Sequence, residues 1–453
     1  MYKTITLFLM VLLMINPAFS TDIKIYTLDE CIKTGIQNNL QMKSSNYDKL
    51  LSEEEIEKFV SQYDLFIKLD LIKSDSEFSM INPQSGSERE ICQIIMGLGK
   101  KFSLSGGVLS LEWLNQATES DATPQLGDPT YDSSIRLAYV QPLARNFLGV
   151  NDKRALEIAG MNKKIVALAY DYQKLFLTNQ IEKIMISLDL AGKNLKAQNS
   201  YLERVKKILE TNRRKFKDGL VEEVDIIASE SRVNILSASI LPGENSIISS
   251  EENLKQLIGL PLDEECRFDI SLHPVIDHKE ISPQEIIKKA FAENPQLKVL
   301  ETAIEIKKLY AENMKNEALP MIDLVAQVGV ENTSSAISDN YDAIFSADHP
   351  SWYIGLNMKL FPWNKAAKSE LRASGHELEK SALALQEQKL EIKAGCLALA
   401  RELKAQAKYI IAARQSLELE EKKLKLEKKK YARGRSSIQW ILEYENDMNN
   451  AQT

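Results

Sequence analysis

The sequence predicts an α+β fold made of two copies of one plan, in which each copy has two-faced strands and one very long helix. Three observations support this prediction. Segments that lie 255 and 215 residues apart match each other, apolar and polar residues alternate in several segments, and long stretches contain no proline. A match that keeps a fixed shift over many residues indicates an internal repeat.

The N-terminal residues have the composition of a secretory signal peptide. Lys3 supplies a positive charge, Ile5–Ile15 is a largely apolar run, and small residues precede Thr21. A membrane-spanning helix needs about 20 apolar residues, so residues 1–20 are predicted to be a cleaved signal rather than an anchor. No cysteine stands at the cleavage site after this run, which argues against a lipoprotein. The mature chain is expected to leave the cytoplasm, as a soluble protein or as a β-barrel.

Charge and cysteine content exclude some classes of protein. The formal charge of −7 becomes −8 without Lys3, and this mild acidity argues against nucleic acid as a partner. The four cysteines are widely spaced and form no CxxC motif: Cys31, Cys92, Cys266 and Cys396. They are predicted to be mostly buried small hydrophobic residues, with one disulfide as the alternative in an oxidising compartment.

The repeat is clearest in two pairs of segments. Leu28–Lys43 matches Pro283–Lys298 with a shift of 255 residues, and Lys215–Gly219 matches Lys430–Gly434 with a shift of 215 residues. The predicted organisation is a signal peptide (1–20), a first repeat (21–262), a linker (263–280) and a second repeat (281–453).

Each copy is predicted to open with a helix. Thr27 and Ser282 are suitable N-cap residues, and Glu30 and Glu285 stand three positions later, as in a capping box. The two helices are expected to end near Tyr63 and Leu319.

Next come segments in which apolar and polar residues alternate, the period of a strand with one apolar and one polar face. The predicted strands lie at about 65–141, about 321–332 and about 351–361. The first copy has extra β material, roughly Ile91–Trp113 with a turn at Gly106–Gly107, and the sequence leaves open whether this hairpin joins the sheet. The alternation fits a soluble sandwich and also a membrane barrel with lipid outside and water inside.

Four aromatic residues are predicted to lie where a membrane meets water. Trp113, Trp352, Tyr353 and Trp363 stand in or beside the alternating segments. Such residues form girdles at both edges of the apolar band in membrane barrels.

Two proline-free stretches predict helices of about 65 residues, or roughly 100 Å at 1.5 Å per residue. They cover about 150–217 and about 364–432. Apolar residues recur every seven positions along both, which predicts coiled-coil packing. The seam residues are Leu195, Leu202, Leu209, Phe216, Ile410, Leu417, Leu424 and Tyr431.

A turn and a returning helix follow each long helix. Gly219 and Gly434 are predicted to take the left-handed conformation that ends a helix, and the lysines and arginines before them suit its negative end. The first returning helix is expected at about 221–258. The second is cut short at Thr453 before the equivalent of Leu257–Leu262, so the sequence is truncated there or the second copy closes differently.

Several short motifs occur in the same order in both copies. They are Leu28-Asp29-Glu30 with Asn38-Asn39, Glu285 with Asn294-Pro295, Gln141-Pro142-Leu143, Phe361-Pro362-Trp363, and the glycine turns with Asp225 and Glu230 or Glu443 and Glu445. Together, behind a signal peptide, they resemble the TolC family of outer-membrane efflux proteins over the whole mature chain.

The resemblance implies a homotrimer in the outer membrane. Each protomer would give two strands per repeat, four in all, to a shared 12-stranded transmembrane barrel, and long coiled-coil helices to a periplasmic tunnel. Small molecules or polypeptides would enter from an inner-membrane pump through a periplasmic adaptor protein. The chain would then be a passive duct of an efflux or type I secretion system, not an enzyme, and would need no cofactor.

The resemblance also implies a closed entrance at the tips of the helical hairpins. Tyr431 and Asp225 match a tyrosine and an aspartate that pin neighbouring hairpins. Glu443 keeps one position of an acidic ring, and the other position is Trp440, which also suits packing between hairpins. Ser436 stands where some members have a pinning arginine. The tip residues implied to contact the adaptor are Gly219, Leu220, Gly434 and Arg435.

The sequence also bears on two other classes of protein, enzymes and soluble scaffolds. Catalysis and metal binding are not predicted, because the four histidines are scattered and no HExxH or Cys/His cluster occurs. A soluble periplasmic coiled-coil scaffold, similar to an adaptor, would explain the long helices but not the alternating strands in duplicated positions.

Overall fold

The computed structural model describes residues 24–77, 79, 87–121, 129–269, 282–347 and 349–452. The predicted signal peptide and most of the predicted linker lie outside this part of the chain. Its helices are α1 (Leu28–Asn38), α2 (Leu40–Val60), α3 (Val150–Lys217), α4 (Glu223–Ile258), α5 (Pro283–Glu293), α6 (Pro295–Glu317), α7 (Ile337–Ser346), α8 (Lys365–Ala432) and α9 (Ile438–Gln452). Its strands are β1 (Lys24–Tyr26), β2 (Leu65–Glu77), β3 (Glu88–Lys101), β4 (Val108–Ser120), β5 (Thr130–Pro142), β6 (Cys266–Phe268), β7 (Met321–Ser334) and β8 (Pro350–Lys359).

The chain forms two compact units, and each contains corresponding parts of both copies. The tip unit consists of Met1–Ser45, Asp171–Ile287 and Ala394–Thr453, and the sheet unit consists of Asn46–Tyr170 and Lys288–Lys393. Strand β5 of the first copy pairs with β7 of the second, and hairpins of the two copies contact each other. The boundary between the copies in the sequence is therefore not a boundary between compact units.

The sheet unit is organised around six antiparallel strands in the order β2-β3-β4-β5-β7-β8. The four strands expected from both copies are β2, β5, β7 and β8. The extra segment of the first copy forms the hairpin β3–β4, which turns at Gly106 with φ +69°. This hairpin is inserted between β2 and β5, so the sheet has six strands where four were expected.

The sheet has one apolar and one polar face. Residues opposite each other on neighbouring strands share a face, and successive residues alternate between faces. One apolar row crosses all six strands: Ile67, Leu98, Leu111, Leu137, Val328 and Trp352. The adjacent row on the other face is polar or small: Lys68, Gly97, Glu112, Arg136, Gly329 and Ser351.

Helix α7 was not predicted, and it packs on the apolar face. Asn340 donates from its side-chain amide to the Tyr131 carbonyl oxygen at 2.8 Å. The ring of Trp113 meets the rings of Tyr341 and Phe345 edge-on, with centroids 6.1 Å and 6.4 Å away. The helix therefore covers part of the apolar face over β4 and β5.

The opening helix of each copy is two helices, not one as predicted. Asn39 separates α1 from α2, and its side chain accepts hydrogen bonds from the Gln41 and Met42 amides. Asn294 does the same before α6, where Pro295 also lacks an amide donor. The predicted capping box forms at Thr27. The hydroxyl of Ser282 instead donates to Gln284.

The long helices are confirmed. Helices α3 and α8 have 68 residues each and start 215 residues apart in sequence. Helix α4 has 36 residues, and α9 covers the 15 residues up to Gln452. Along the described parts of the chain, no helix combines the length and apolarity that crossing a membrane requires.

The four cysteines are free thiols in different surroundings. Burial raises the pKa of the Cys31 thiol to about 12, which keeps it protonated and unreactive. Cys92 is exposed on β3, so the prediction of burial was wrong for this residue, because it lies on the open apolar face of the sheet, opposite Lys73 and Ala117.

Candidate functional site

Two helical hairpins, α3–α4 and α8–α9, meet in the tip unit. Their turns use the same geometry: Gly219 and Gly434 both have φ +70°, as predicted. The Leu220 amide donates to the Lys215 carbonyl at 2.8 Å, and the Arg435 amide donates to the Lys430 carbonyl at 2.9 Å. This is the bonding pattern that satisfies the last carbonyls of a helix.

A buried hydrogen-bond chain connects the two hairpins. The hydroxyl of Tyr431 on α8 donates to Asn212 Oδ1 on α3 at 2.7 Å. Asn212 Nδ2 donates to the Ser229 hydroxyl at 2.9 Å, and this hydroxyl donates to the Asp225 carbonyl oxygen at 2.8 Å. Asn212 and Ser229 are both fully buried. Tyr431 therefore ties the second hairpin to both helices of the first.

Tyr431 and Asp225 are connected through Asn212 and Ser229, and also by the charge of the Asp225 carboxylate. The Asp225 carboxylate accepts a hydrogen bond from the Glu222 amide and so caps α4. Burial raises the pKa of the Tyr431 hydroxyl, and the negative charge of Asp225 adds to the rise. The Lys215 ammonium lies 3.8 Å from the centre of the Tyr431 ring. The tyrosine thus stays a neutral hydrogen-bond donor under physiological conditions.

Glu445 on α9 is a buried carboxylate between two cations. Its side chain is 0 % exposed, and it lies 2.7 Å from Arg204 Nε on α3 and 2.5 Å from Lys428 Nζ on α8. Removing one partner of such a cluster leaves buried charge uncompensated. Three helices from both copies therefore depend on this carboxylate.

The first copy has an ion pair at the positions that correspond to Lys428 and Glu445, but this pair is more exposed to solvent. Arg213 and Glu230 lie 2.5 Å apart, 17 residues from each other in sequence, as Lys428 and Glu445 are. The side chain of Glu230 is 42 % exposed. The duplicated residues therefore differ because only Glu445 meets a helix of the other hairpin.

Aromatic and apolar contacts extend this junction. Arg232 donates to the Tyr201 hydroxyl at 2.9 Å and also to Asn446 on α9. Leu442 on α9 packs against a buried cluster on the first hairpin. That cluster consists of Tyr201, Leu202, Val205, Leu236 and Ile240.

Trp440 and Glu443, predicted at the entrance, lie on α9 near this junction. The Trp440 ring is half-exposed and packs on Tyr444 of the same helix, with centroids 5.9 Å apart. Glu443 is exposed. Neither takes part in the bonds between the hairpins described above.

Ser436 hydrogen-bonds within its own hairpin. Its hydroxyl donates to Glu427 Oε1 at 2.7 Å, and Lys430 donates to the other oxygen at 3.1 Å. The hydrogen bond from Ser436, followed by that from Lys430, lowers the pKa of Glu427. The residue at the position of the implied arginine therefore stabilises the turn of the second hairpin.

The tip of the first hairpin exposes apolar side chains. They are Phe216, Leu220, Val224 and Ile227, and Leu220 is 70 % exposed. The corresponding tip residue of the second hairpin is Arg435. The two tips therefore share a backbone and differ in surface chemistry.

The predicted membrane aromatics divide between the faces of the sheet. Trp113 and Trp352 lie on the apolar face, where Trp352 is 78 % exposed. Tyr353 lies opposite Gln327 on the polar face. Trp363 is exposed in the turn between β8 and α8.

Sequence reasoning missed Asn212, Ser229, Arg204 and Lys428. The repeated 17-residue spacing of Arg213–Glu230 and Lys428–Glu445 was a usable signal. Arg204 had no such signal, because its partner is on another hairpin. In the described ranges, no group of three or more His, Cys, Asp or Glu side chains could hold a metal ion.

Solved structures of outer-membrane channels have the same fold. The outer membrane protein VceC of Vibrio cholerae matches with a TM-score of 0.69 and 12 % identity, over 94 % of this chain and 90 % of that chain. The CmeC outer membrane channel of Campylobacter jejuni matches with a TM-score of 0.68 and 14 % identity, over 94 % and 80 %. The open state of the MtrE outer membrane channel of Neisseria gonorrhoeae matches with a TM-score of 0.63 and 13 % identity, over 94 % of this chain and 83 % of that chain. The resemblance to TolC-type proteins is thus confirmed at the level of the fold.

Sequence comparison gives a more distant relation. No protein-family model matches the chain. The alkaline protease secretion protein AprF of Pseudomonas aeruginosa is 25 % identical over 190 residues, which is 41 % of this chain and 37 % of that protein.

Proposed function

We propose that this protein is an outer-membrane exit channel of a tripartite efflux or type I secretion system. One observation carries the proposal: a sheet with a continuous apolar face and a polar opposite face, in a chain with the fold of outer-membrane channels. Its strands have 10 to 14 residues, and about 9–11 suffice to cross a bilayer. The apolar face would contact lipid, and the polar face would line a water-filled lumen.

The channel would be a homotrimer. A single sheet leaves β2 and β8 as unpaired edges, and open edges do not occur in the hydrocarbon region of a membrane. Copies of the chain can satisfy each other's edges. The TolC resemblance favours three copies, with the signal peptide directing the chain across the inner membrane.

The hairpin tips would form the periplasmic entrance. Tyr431, with Asn212, Ser229 and Asp225, would hold the two hairpins of one protomer together in the closed state. Trp440 and Glu443 would lie beside the opening. The exposed apolar tip around Leu220 and the basic residue Arg435 would contact a periplasmic adaptor, which links the channel to an inner-membrane pump.

The cargo class follows from the comparisons only in outline. The matched structures are outer-membrane channels, and AprF is an alkaline protease secretion protein. Both support passive transport of small molecules or polypeptides without catalysis by this chain.

Cell fractionation with solute release tests the proposal. The mature protein should be found in the outer membrane, require detergent for extraction, and migrate unheated as a trimer. Reconstituted in liposomes, it should release an encapsulated small solute. A monomer in the soluble periplasmic fraction would contradict the proposal and support the coiled-coil scaffold instead.

A further inference from the structure

We infer that the closed β-barrel has eighteen strands instead of the twelve that the family resemblance implies. The inference rests on the proposed function, because it assumes that three copies close a barrel. It adds that the hairpin β3–β4 is part of the barrel wall, and that β8 of one copy pairs with β2 of the next. Six strands per copy, in three copies, give this number.

The hairpin is paired on both sides along its length. On one side, β3 runs against β2 from Lys100 opposite Leu65 to Glu88 opposite Glu77. On the other side, β4 runs against β5 from Val108 opposite Val140 to Thr118 opposite Thr130. Strands β2 and β5 are therefore separated by two full strands. A wall with four strands per copy would require breaking both ladders.

The hairpin also continues the two faces of the sheet. Ile94, Met96 and Leu98 on β3 lie on the apolar face with β2, and all three are about 40 % exposed. Leu111 on β4 extends this face. Such side chains, exposed in the single chain, are suited to contact with lipid. A hairpin lying outside the wall would expose its apolar face to water or its polar face to lipid.

The edges of the sheet are compatible with each other. All neighbouring strands are antiparallel, so in a sheet of six the two edge strands run in opposite directions. Strand β8 of one copy can therefore pair antiparallel with β2 of another. Within the six strands, the edge strands also carry the most exposed apolar residues: Leu65, Ile67, Leu69, Leu71, Trp352, Ile354, Leu356 and Met358.

The added strands change the width of the exit. Barrel diameter grows roughly linearly with strand number, so eighteen strands give a barrel about half again as wide as twelve, with roughly twice the cross-section. Polar residues such as Arg136 and Glu331, which lie 3.5 Å apart, would line it. A mouth of this width would admit larger cargo, including polypeptides, so the selective constriction would lie elsewhere.

Native Cys92 on β3 allows a direct test of the hairpin's position. Lys73 on β2 lies directly opposite Cys92, and so does Ala117 on β4. Opposite residues of antiparallel strands have Cα atoms about 4.5–5.5 Å apart, within the range of disulfides. In outer membranes of cells producing the full chain, oxidised with copper–phenanthroline, both Lys73→Cys and Ala117→Cys should lose free thiol to a disulfide with Cys92, identified by peptide mass spectrometry. Ile72→Cys, on the opposite face, is the matched control and should keep its thiol.

A second variant separates failure of this inference from failure of the proposed function. Leu69→Cys with Ile354→Cys, in a Cys92→Ser background, should give covalent trimers with a flexible bis-maleimide. If trimers form and Ala117→Cys crosslinks, but Lys73→Cys does not, the hairpin has left β2 and the inference is overturned while the channel stands. Crosslinking of Ile72→Cys as efficient as that of Lys73→Cys would also overturn it. A soluble monomer that gives no trimer would reject both.

Discussion

Glu445 shows how one residue acquires a role that its duplicate lacks. It is fully buried between Arg204 and Lys428, whereas Glu230 is half-exposed beside Arg213. The spacing within each hairpin is the same, so local structure does not explain the difference. Packing of α9 against α3 does, since it removes only Glu445 from water.

Glu445→Gln should therefore destabilise the tip unit far more than Glu230→Gln. Breaking a buried ion pair costs about 3–5 kcal/mol, and we expect about 2–3 kcal/mol here because Arg204 and Lys428 reach solvent. Glu230→Gln should cost under about 1 kcal/mol. Thermal unfolding of the detergent-purified protein, followed by far-UV circular dichroism, measures both. Equal melting temperatures for the two variants would contradict the burial of Glu445.

The Ser436–Glu427 hydrogen bond predicts a dependence on pH. Because the pKa of Glu427 is lowered, its contribution to stability is present above the ordinary carboxylate pKa and is lost as pH falls through the lowered value. Ser436→Ala removes the largest cause of that lowering. The variant should melt below the wild type at pH 7, and this difference should shrink at pH 3. A difference that does not change with pH would show that Ser436 acts independently of Glu427.

At the scale of elements, the turn glycines and the helix glycines should respond to substitution in opposite directions. Gly434 has φ +70°, where an added Cβ meets open space but the backbone conformation is unfavourable, at a cost of about 1–2 kcal/mol. Gly375 lies inside α8, also with nothing within 4 Å of an added Cβ, so alanine there should stabilise by about 0.5–1 kcal/mol. Melting curves of Gly434→Ala and Gly375→Ala should shift to opposite sides of the wild type. A shift of both in one direction would reject this account of the turn.

The sequence predicted those elements whose signal is local and long. Proline-free heptads predict α3 and α8, and the glycines mark their ends. The sequence did not predict that Asn39 and Asn294 each separate two helices. An asparagine ends a helix there only because its side chain caps the next one, and the sequence pattern does not show that hydrogen bond. Helix α7 was missed because its ten residues are stabilised by packing on Trp113 and Tyr131. The site was predicted in part: Tyr431 and Asp225 lie in one network, but Asn212 and Arg204 depend on contacts between hairpins that no spacing reveals.

At the scale of the whole molecule, duplication supplies two equivalent hairpins and a shared sheet. Within the tip unit, the second hairpin is held to the first by Tyr431 and Glu445. Within the sheet unit, β5 of the first copy pairs with β7 of the second. Bonds between duplicated parts thus hold each unit together. If the tips form an entrance, its opening would have to break the bonds in the tip unit.

Planar-bilayer conductance of the purified mature protein tests the central claim most directly. The wild type should insert and give small, mostly closed currents. Tyr431→Phe, which removes the hydroxyl that donates to Asn212, should increase the mean current several-fold. Tyr409→Phe is the matched control, because Tyr409 is exposed on α8, and its currents should equal those of the wild type. No insertion and no current, from a monomer that stays soluble without detergent, would contradict the account.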